Sequence, residues 1–157
     1  MRKCNKNVSL TDSPSQENGI PVPKSTEEPR PRLPAGPYDA QCIEAKLYWD
    51  NGFRRWVAML AFELIPARTL VNLYLNLGGA AKPHAGMRSL YRRAWITAAG
   101  RQPHRGEELN LDVFINSFFE IDVQDVTQTW DQQAHPPAEI YSRVARIVRR
   151  LIEKSFL

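Results

Sequence analysis

The sequence predicts a mainly β domain, and three observations lead to this prediction. Three runs with the alternating apolar pattern of β-strands come first, between residues 36 and 77. A short helical pattern follows, and two further β-patterned runs end near residue 148. Three strands, one helix and two strands is the element order of a five-stranded OB-type Greek-key barrel with its helix between strands 3 and 4.

The first three strands are predicted at residues 38–49, 55–65 and 69–77. The apolar alternation of strand 1 changes phase near Cys42 and Ile43, which predicts one extra residue, a β-bulge, at that point. Strand 3 has the clearest pattern. We expect its inward side chains to be Val71, Leu73, Leu75 and Leu77, and its outward side chains to be Leu70, Asn72, Tyr74 and Asn76.

The helix is predicted at residues 90–99, with Ser89 as its N-cap and Gly100 in the left-handed position after its end. Trp95 belongs to its apolar stripe and is expected in the core. Strand 4 is predicted at 113–126. The last run fits either a strand or a helix, and because a barrel needs a fifth strand, we expect a strand that continues into a short C-terminal helix.

The chain of 157 residues divides into two parts by composition. Residues 1–35 are poor in apolar side chains and rich in proline, serine and charge, so they are predicted to be a disordered Pro-rich tail. Residues 36–157 are predicted to form the OB-type domain. No run of 18 apolar residues and no secretory signal occurs, so we expect a cytoplasmic protein without a membrane partner.

The sequence shows no cluster of residues typical of catalysis. The three histidines, His84, His104 and His135, fall in predicted loops without the spacing of a metal site. Cys4 and Cys42 lie too far apart for a paired metal-binding motif. We therefore expect a binding protein rather than an enzyme, with no catalytic residue, no metal and no cofactor.

Four aromatic side chains fall where an OB-type barrel contacts its ligands, on the face of strands 2 and 3 and in the loops 1–2 and 4–5. Trp49 and Phe53 flank the predicted turn between strands 1 and 2, Tyr74 projects from strand 3, and Trp130 lies between strands 4 and 5. Aromatic side chains in a cationic groove bind single strands by stacking on bases. Two alternatives stay open: Trp49 folds under the domain, or Tyr74 pairs across strands with Met59 or Val57.

Cationic residues are concentrated in a few segments, although the net charge is only +4. Between residues 78 and 106 the chain has several cations and no acidic residue. Such a segment attracts phosphates, although a solvated helix face has the same composition. The candidate phosphate contacts are Arg54, Arg55, Lys82, Arg88, Arg92 and Arg93. The sequence therefore favours single-stranded DNA as the partner and leaves RNA and a homo-oligomer open.

The chain also resembles a known family over about residues 33–148. The opening Pro-x-Gly-x-Tyr-x-Ala at residues 34–40, the strand segments 60–64 and 73–77, and the helix end at 98–100 are similar to small phage and mobile-element proteins regarded as OB-fold single-stranded-DNA-binding proteins. The resemblance implies DNA binding in replication or recombination, with replication or recombination proteins as further partners. The chain lacks the acidic C-terminal tip through which such proteins recruit partners, which puts that recruitment in doubt.

A rival interpretation is a protein-interaction module, such as an accessory or anti-defence factor of a mobile element. Tryptophan, tyrosine and arginine are also the residues that anchor protein partners. The shape of the surface discriminates between the two: a basic groove lined by aromatic side chains favours a strand, and a flat apolar patch favours a protein.

Overall fold

The computed structural model describes residues 20–27 and 29–152. Its architecture is one antiparallel sheet of five strands with an α-helix between the third and fourth. The strands are β1 (Gly36–Asp50), β2 (Arg55–Leu64), β3 (Leu70–Asn76), β4 (Phe118–Val126) and β5 (Tyr141–Leu151), and the helix is α1 (Leu90–Ala99). The mainly β fold and the predicted order of elements are therefore confirmed.

The order of strands in the sheet is β3-β2-β1-β4-β5. Cα atoms of the two outermost strands, β3 and β5, come within 8 Å of each other. Among the described residues, however, no hydrogen-bonded pairing joins these two strands. The sheet therefore curls until its edges are neighbours, and it stays open between them.

A bulge in β1 lies where the sequence predicts it. The pairing of β1 with β2 shifts register between Cys42 and Glu44, so Ile43 is the extra residue. The main chain of Cys42 turns to the segment before β4: its N–H donates to Ser117 O at 3.0 Å, and its carbonyl accepts from Asn116 N–H at 2.7 Å. The bulge therefore marks the point where β1 leaves β4 and continues with β2 alone.

The start of β4 was predicted wrongly, at residue 113 instead of Phe118. Residues Leu111–Val113 form a turn of 3-10 helix, and Phe114 after it is fully buried in the core. Asn116 has a φ of 61°, in the left-handed region that interrupts a strand. Phe114 thus fills the core from a turn, and alternation alone could not separate this turn from the strand.

The core lies on the inner face of the sheet, where α1 packs against it. Its largest fully buried side chains include Phe62, Phe114 and Phe119, whose rings contact one another edge-on or tilted. The predicted bounds and caps of α1 are confirmed: the Ser89 hydroxyl accepts from Arg92 N–H, and Gly100 has a φ of 72°. Trp95 is buried in the core as predicted. The inward set of β3 is buried as predicted, and its outward set is exposed or half-buried.

The outer face of β2 is also buried, although it lies outside the core. Val57, Met59 and Ala61 are each less than 7% exposed. Two of them have a tyrosine as their cross-strand neighbour: Val57 pairs with Tyr48 on β1, and Met59 pairs with Tyr74 on β3. These neighbours cover the outer face and give it an aromatic surface.

The last run is a strand through Leu151, so a helix over residues 140–151 is excluded. The predicted short C-terminal helix falls on residues 153–157, which lie outside the described residues, as do residues 1–19 of the predicted tail. The end of that tail contacts β5: Ser142 N–H donates to Pro31 O at 2.8 Å, and Leu33 N–H donates to Ser142 Oγ at 2.7 Å. In the described residues, no helix is long and apolar enough to cross a lipid bilayer.

Candidate nucleic-acid interface

A cleft of about 800 Å³ opens on the outer face of the sheet, between the β1–β2 hairpin, β3, the β4–β5 loop and the start of β5. Five aromatic side chains from these elements line it, and we call it the aromatic cleft. They are Tyr48, Phe53, Tyr74, Trp130 and Tyr141. The folded chain thus brings together side chains that are up to 93 positions apart in the sequence.

The β1–β2 hairpin turn holds Phe53 at one side of the aromatic cleft. Asp50 Oδ1 accepts hydrogen bonds from Gly52 N–H at 2.9 Å and Phe53 N–H at 3.3 Å, an Asx-type turn that fixes the backbone. The Phe53 ring is 55% exposed, and the Arg55 guanidinium carbon lies 4.8 Å from its centroid. A stacked cation keeps the ring oriented and still leaves most of it accessible.

Tyr74 projects from the outer face of β3, as the alternation of that strand predicts. It pairs across the sheet with Met59, yet it is 55% exposed, so the contact with β2 leaves its ring accessible. Its hydroxyl accepts a hydrogen bond from Asn72 Nδ2 at 3.3 Å. Partial burial, together with the neighbouring Tyr74 hydroxyl and Asp50, raises the pKa of Tyr48 above its usual value.

Trp130 forms the opposite side of the aromatic cleft and is 82% exposed. It sits at the tip of a small turn, in which Thr129 N–H donates to Gln133 O at 2.8 Å and Gln132 N–H donates to Thr129 O at 3.0 Å. These bonds order the backbone around a side chain that packs against little. An indole presented in this way has both faces available for a planar partner.

Three guanidinium groups line the aromatic cleft, from Arg30, Arg55 and Arg143. Arg30 lies 4.4 Å above the Tyr141 ring. The Nε of Arg55 is buried and has no hydrogen-bond partner among the described residues. Two carboxylates, Asp50 and Asp125, also line the cleft, so its formal charge is +1.

Arg143 is distinguished from the next outward arginines of β5 by its lack of a carboxylate partner. Arg146 pairs with Asp122 at 3.7 Å, and Arg149 pairs with Glu120. No described carboxylate forms a salt bridge with Arg143, which lies opposite Gln124 on β4. Its charge is therefore available to a phosphate, and the charges of the other two are already compensated.

A second cleft, of about 950 Å³, lies between the β3–α1 loop and the segment that follows α1. Its cationic and imidazole side chains give it the name basic cleft; they are Lys82, His84, Arg92, His104 and Arg105. Its carboxylate Glu107 accepts two hydrogen bonds from Arg101, both at 2.8 Å, and one from His104 N–H at 3.0 Å. These bonds lower the pKa of Glu107 to about 2.

The ten residues predicted from the sequence to bind a strand fall into three groups. Phe53, Arg55, Tyr74 and Trp130 line the aromatic cleft. Lys82 and Arg92 line the basic cleft. Trp49, Arg54, Arg88 and Arg93 line neither and are exposed.

Trp49 lies apart from the aromatic cleft because alternation along β1 places it on the face opposite Tyr48. Its ring meets that of Trp56 edge-on, with 5.5 Å between the centroids. Trp56 Nε1 in turn donates to Ala80 O at 3.1 Å, which holds the pair against the β3–α1 loop. Trp49 remains 37% exposed, so it is neither fully packed nor part of the predicted stacking surface.

Four residues that line the aromatic cleft are not among those predicted from the sequence: Tyr48, Tyr141, Arg143 and Arg30. A signal for two of them was present: Tyr141 and Arg143 are two residues apart in a run that also fits a strand, which puts both on one face. Tyr48 rather than Trp49 lies in the cleft, and to predict this one must know which face each side chain takes after the bulge in β1. Nothing in the sequence of the tail indicates that Arg30 reaches Tyr141.

No model of a known protein family matches the chain, and no curated protein matches it either. Among the described residues, no group of three or more histidine, cysteine, aspartate or glutamate side chains is arranged to hold a metal ion. The geometry of the two clefts is therefore what indicates a molecular function.

Proposed function

We propose that the protein binds single-stranded DNA in the aromatic cleft, by stacking of bases on its aromatic rings and by contacts of phosphates with its guanidinium groups. The observation that carries this proposal is the convergence of Phe53, Tyr74 and Trp130, all more than half exposed, with three arginines in one concave site. Stacking contributes about 1–3 kcal/mol per base and requires unpaired bases. Phosphate contacts add affinity that depends on salt.

The proposed fold is an OB-type Greek-key barrel, and two features support it. The strand order β3-β2-β1-β4-β5 brings β3 next to β5 when the sheet curls, which is the neighbour relation of that barrel. The aromatic cleft also lies on the strand 2–3 face, between the loops 1–2 and 4–5, where OB-type barrels bind oligonucleotides.

The shape and charge of the aromatic cleft favour a nucleic-acid strand over a protein partner. The site is concave, its exposed rings face one space, and its arginines lie among them rather than on another surface. A protein interface of ordinary size needs about 800 Å² per partner, with an apolar centre. Here four polar residues interrupt the apolar surface of the lining: Asn72, Thr127, Gln128 and Thr129.

A role in DNA replication or recombination is part of this proposal, and it comes only from the sequence segments that resemble phage and mobile-element proteins, since no family model matches the chain. In such a role the protein covers single strands without changing them chemically. This part of the proposal rests on similar sequence segments, and the binding experiment below tests the molecular function alone.

Fluorescence anisotropy with labelled oligonucleotides tests the binding function. We expect the protein to bind a single strand of about 6 nucleotides, a length within the range that one OB fold covers. Binding of the duplex of the same sequence should be weaker, because paired bases present no free faces. The slope of log affinity against log salt should be about −2, from three phosphates at about 0.7 each. The affinity for an RNA strand of equal length shows whether the protein distinguishes ribose from deoxyribose.

The double variant Tyr74→Ala/Trp130→Ala should bind the short strand at least about 30-fold more weakly, since two stacked bases contribute about 1 kcal/mol or more each. Trp49→Ala is the matched control, because it also removes an exposed aromatic ring but lies outside the aromatic cleft. No binding by the unaltered protein at low salt would overturn the proposal. Equal losses in the double variant and the control would place the bases elsewhere.

A further inference from the structure

The two clefts lie on opposite faces of the same β-hairpin. Tyr48 on β1 lines the aromatic cleft, and its neighbour Leu47 lines the basic cleft. Adjacent residues of a strand point to opposite faces. The end of the β1–β2 hairpin therefore separates the two clefts, and a ligand that contacts both must pass around it.

The cations of the basic cleft lack anionic partners. Among the described residues, no carboxylate forms a salt bridge with Lys82, Arg92 or Arg105. Arg92 donates a hydrogen bond to the neutral side chain of Gln102 at 3.1 Å. Glu107, which lines the same cleft, is held by Arg101 instead. Glu108 lines the cleft as well and, among the described residues, forms no salt bridge with any of the three cations, so their positive charges are only partly offset and remain available to an anionic ligand.

Trp49 lies on the route between the two clefts. It is on the same face of β1 as Leu47, two residues closer to the hairpin turn. Its partner Trp56 bonds to Ala80, and Ala80 is two residues before Lys82 in the loop that borders the basic cleft. The hairpin and this loop also pack closely: a Cβ added to Gly79 would lie 2.9 Å from the carbonyl oxygen of Arg54.

We infer that the basic cleft is a second contact site for the same DNA strand, which leaves the aromatic cleft around the hairpin end and passes Trp49. This inference rests on the proposed function. Bases stack on Trp49, and phosphates of the outgoing strand contact Lys82, Arg92 and Arg105. The strand is favoured over an acidic peptide because an exposed tryptophan connects the basic cleft to a site with the same stacking chemistry.

Oligonucleotides of two lengths test the inference. A strand of about 6 nucleotides is expected to fill the aromatic cleft alone, and one of about 16 is expected to reach both clefts. The variant Lys82→Gln/Arg105→Gln should leave the affinity for the short strand unchanged. For the long strand it should lower the magnitude of the salt slope by about 1.4, since each lost phosphate contact removes about 0.7. Trp49→Ala should lower the affinity for the long strand about 5-fold or more and leave the affinity for the short strand unchanged.

Arg146→Gln/Arg149→Gln is the matched control, because it removes two exposed positive charges that are already paired with carboxylates. It should not change the salt slope for either length. Equal effects of the two variants on the long strand would overturn the inference, since they would report net charge alone. Loss of short-strand binding in Lys82→Gln/Arg105→Gln would also overturn it, because the cations would then belong to the first site.

Three further outcomes separate the proposed function, the second contact site and a protein partner. If the unaltered protein binds neither length, the proposed function fails and the inference fails with it. Both lengths could also bind while neither Lys82→Gln/Arg105→Gln nor Trp49→Ala changes the affinity or the salt slope for the long strand. The proposed function then stands, and only the second contact site is refuted. The substitutions Lys82→Gln/Arg105→Gln could instead abolish binding of a poly-glutamate peptide and leave binding of the long strand unchanged. That result would assign the basic cleft to a protein partner.

Discussion

The Ser142 hydroxyl attaches the end of the tail to β5, and its removal should release this segment. The side chain is 4% exposed. Its Oγ accepts a hydrogen bond from Leu33 N–H at 2.7 Å, and its O–H donates one to Leu33 O at 3.2 Å. Ser142→Ala deletes both bonds. The main-chain bond from Ser142 N–H to Pro31 O at 2.8 Å remains, as do the bonds from the Arg32 guanidinium to Pro137 O at 3.4 Å and from the Tyr38 hydroxyl to Pro34 O at 2.7 Å. The cation–π contact of Arg30 with Tyr141 depends on the same attachment.

The size of the effect follows from two neutral hydrogen bonds. Each contributes about 1 kcal/mol net, because the released groups of Leu33 bond to water once the segment detaches. A loss of about 2 kcal/mol raises the detached population roughly 30-fold. The global free energy of unfolding should change less, because the segment opens without the sheet.

Limited trypsin digestion measures the detached population. The bond after Arg32 becomes accessible when the segment leaves β5, and the bond after Arg30 is resistant because Pro31 follows it. Mass spectrometry of the early products should show cleavage after Arg32 up to about 30-fold faster in Ser142→Ala, in the regime where cleavage tracks the open population. Ser25→Ala is the control, since the Ser25 hydroxyl bonds only to the nearby Glu27 O. Identical cleavage rates in Ser142→Ala and the unaltered protein would refute this account of the attachment.

Three further predictions concern stability and titration. Phe119→Ala removes a fully buried ring and should lower the free energy of unfolding by about 3–5 kcal/mol in urea denaturation. Burial raises the pKa of the Cys42 thiol from 9.0 and that of the Tyr91 hydroxyl from 10.0, each to about 12. Because the unfolded chain ionises first, the stability that these groups contribute is complete below about pH 9 and is lost as the pH rises towards 12. Arg101→Ala should raise the pKa of Glu107 from about 2 towards 4.5, as followed by carboxyl chemical shifts in an NMR titration.

Each of these results has a contrary outcome. A loss below about 1 kcal/mol in Phe119→Ala would mean that the core refills the cavity. If Tyr91→Phe shows the same fall in stability between pH 9 and 12 as the unaltered protein, Tyr91 does not contribute to it. An unchanged Glu107 titration in Arg101→Ala would assign the low pKa to the His104 N–H bond alone.

The sequence could predict those elements whose signals are local. The helix α1 matches its predicted bounds because an N-cap, an apolar stripe and a C-terminal glycine lie within twelve consecutive residues. The bulge in β1 was visible because a single extra residue reverses the alternation after Cys42. The start of β4 was not visible, because Phe114 is buried by a turn that contacts β1, and the sequence does not encode that contact locally.

Residues of the candidate site could be predicted where their position in a loop is enough to expose the side chain. Phe53 and Trp130 fall in connections and line the aromatic cleft, and Tyr74 does so through the simple alternation of β3. To place Trp49 and Tyr48 one must know which face of the sheet each side chain takes, and this depends on the bulge in β1 and on its register with β2. Arg30 and Tyr141 meet through contacts between positions more than 100 residues apart, for which one sequence offers no signal.

The prolines at the end of the tail also limit further strand pairing at the edge of the sheet. β5 is an edge strand, and unpaired N–H and C=O groups on an edge invite strands of other molecules. The segment at residues 29–34 accepts the Ser142 N–H through Pro31, but its three prolines, Pro29, Pro31 and Pro34, have no N–H to donate. The segment therefore covers the beginning of the edge without becoming a sixth strand that could be paired in turn. A protein that starts after residue 34 would expose this edge and should self-associate at concentrations where the longer chain stays dispersed.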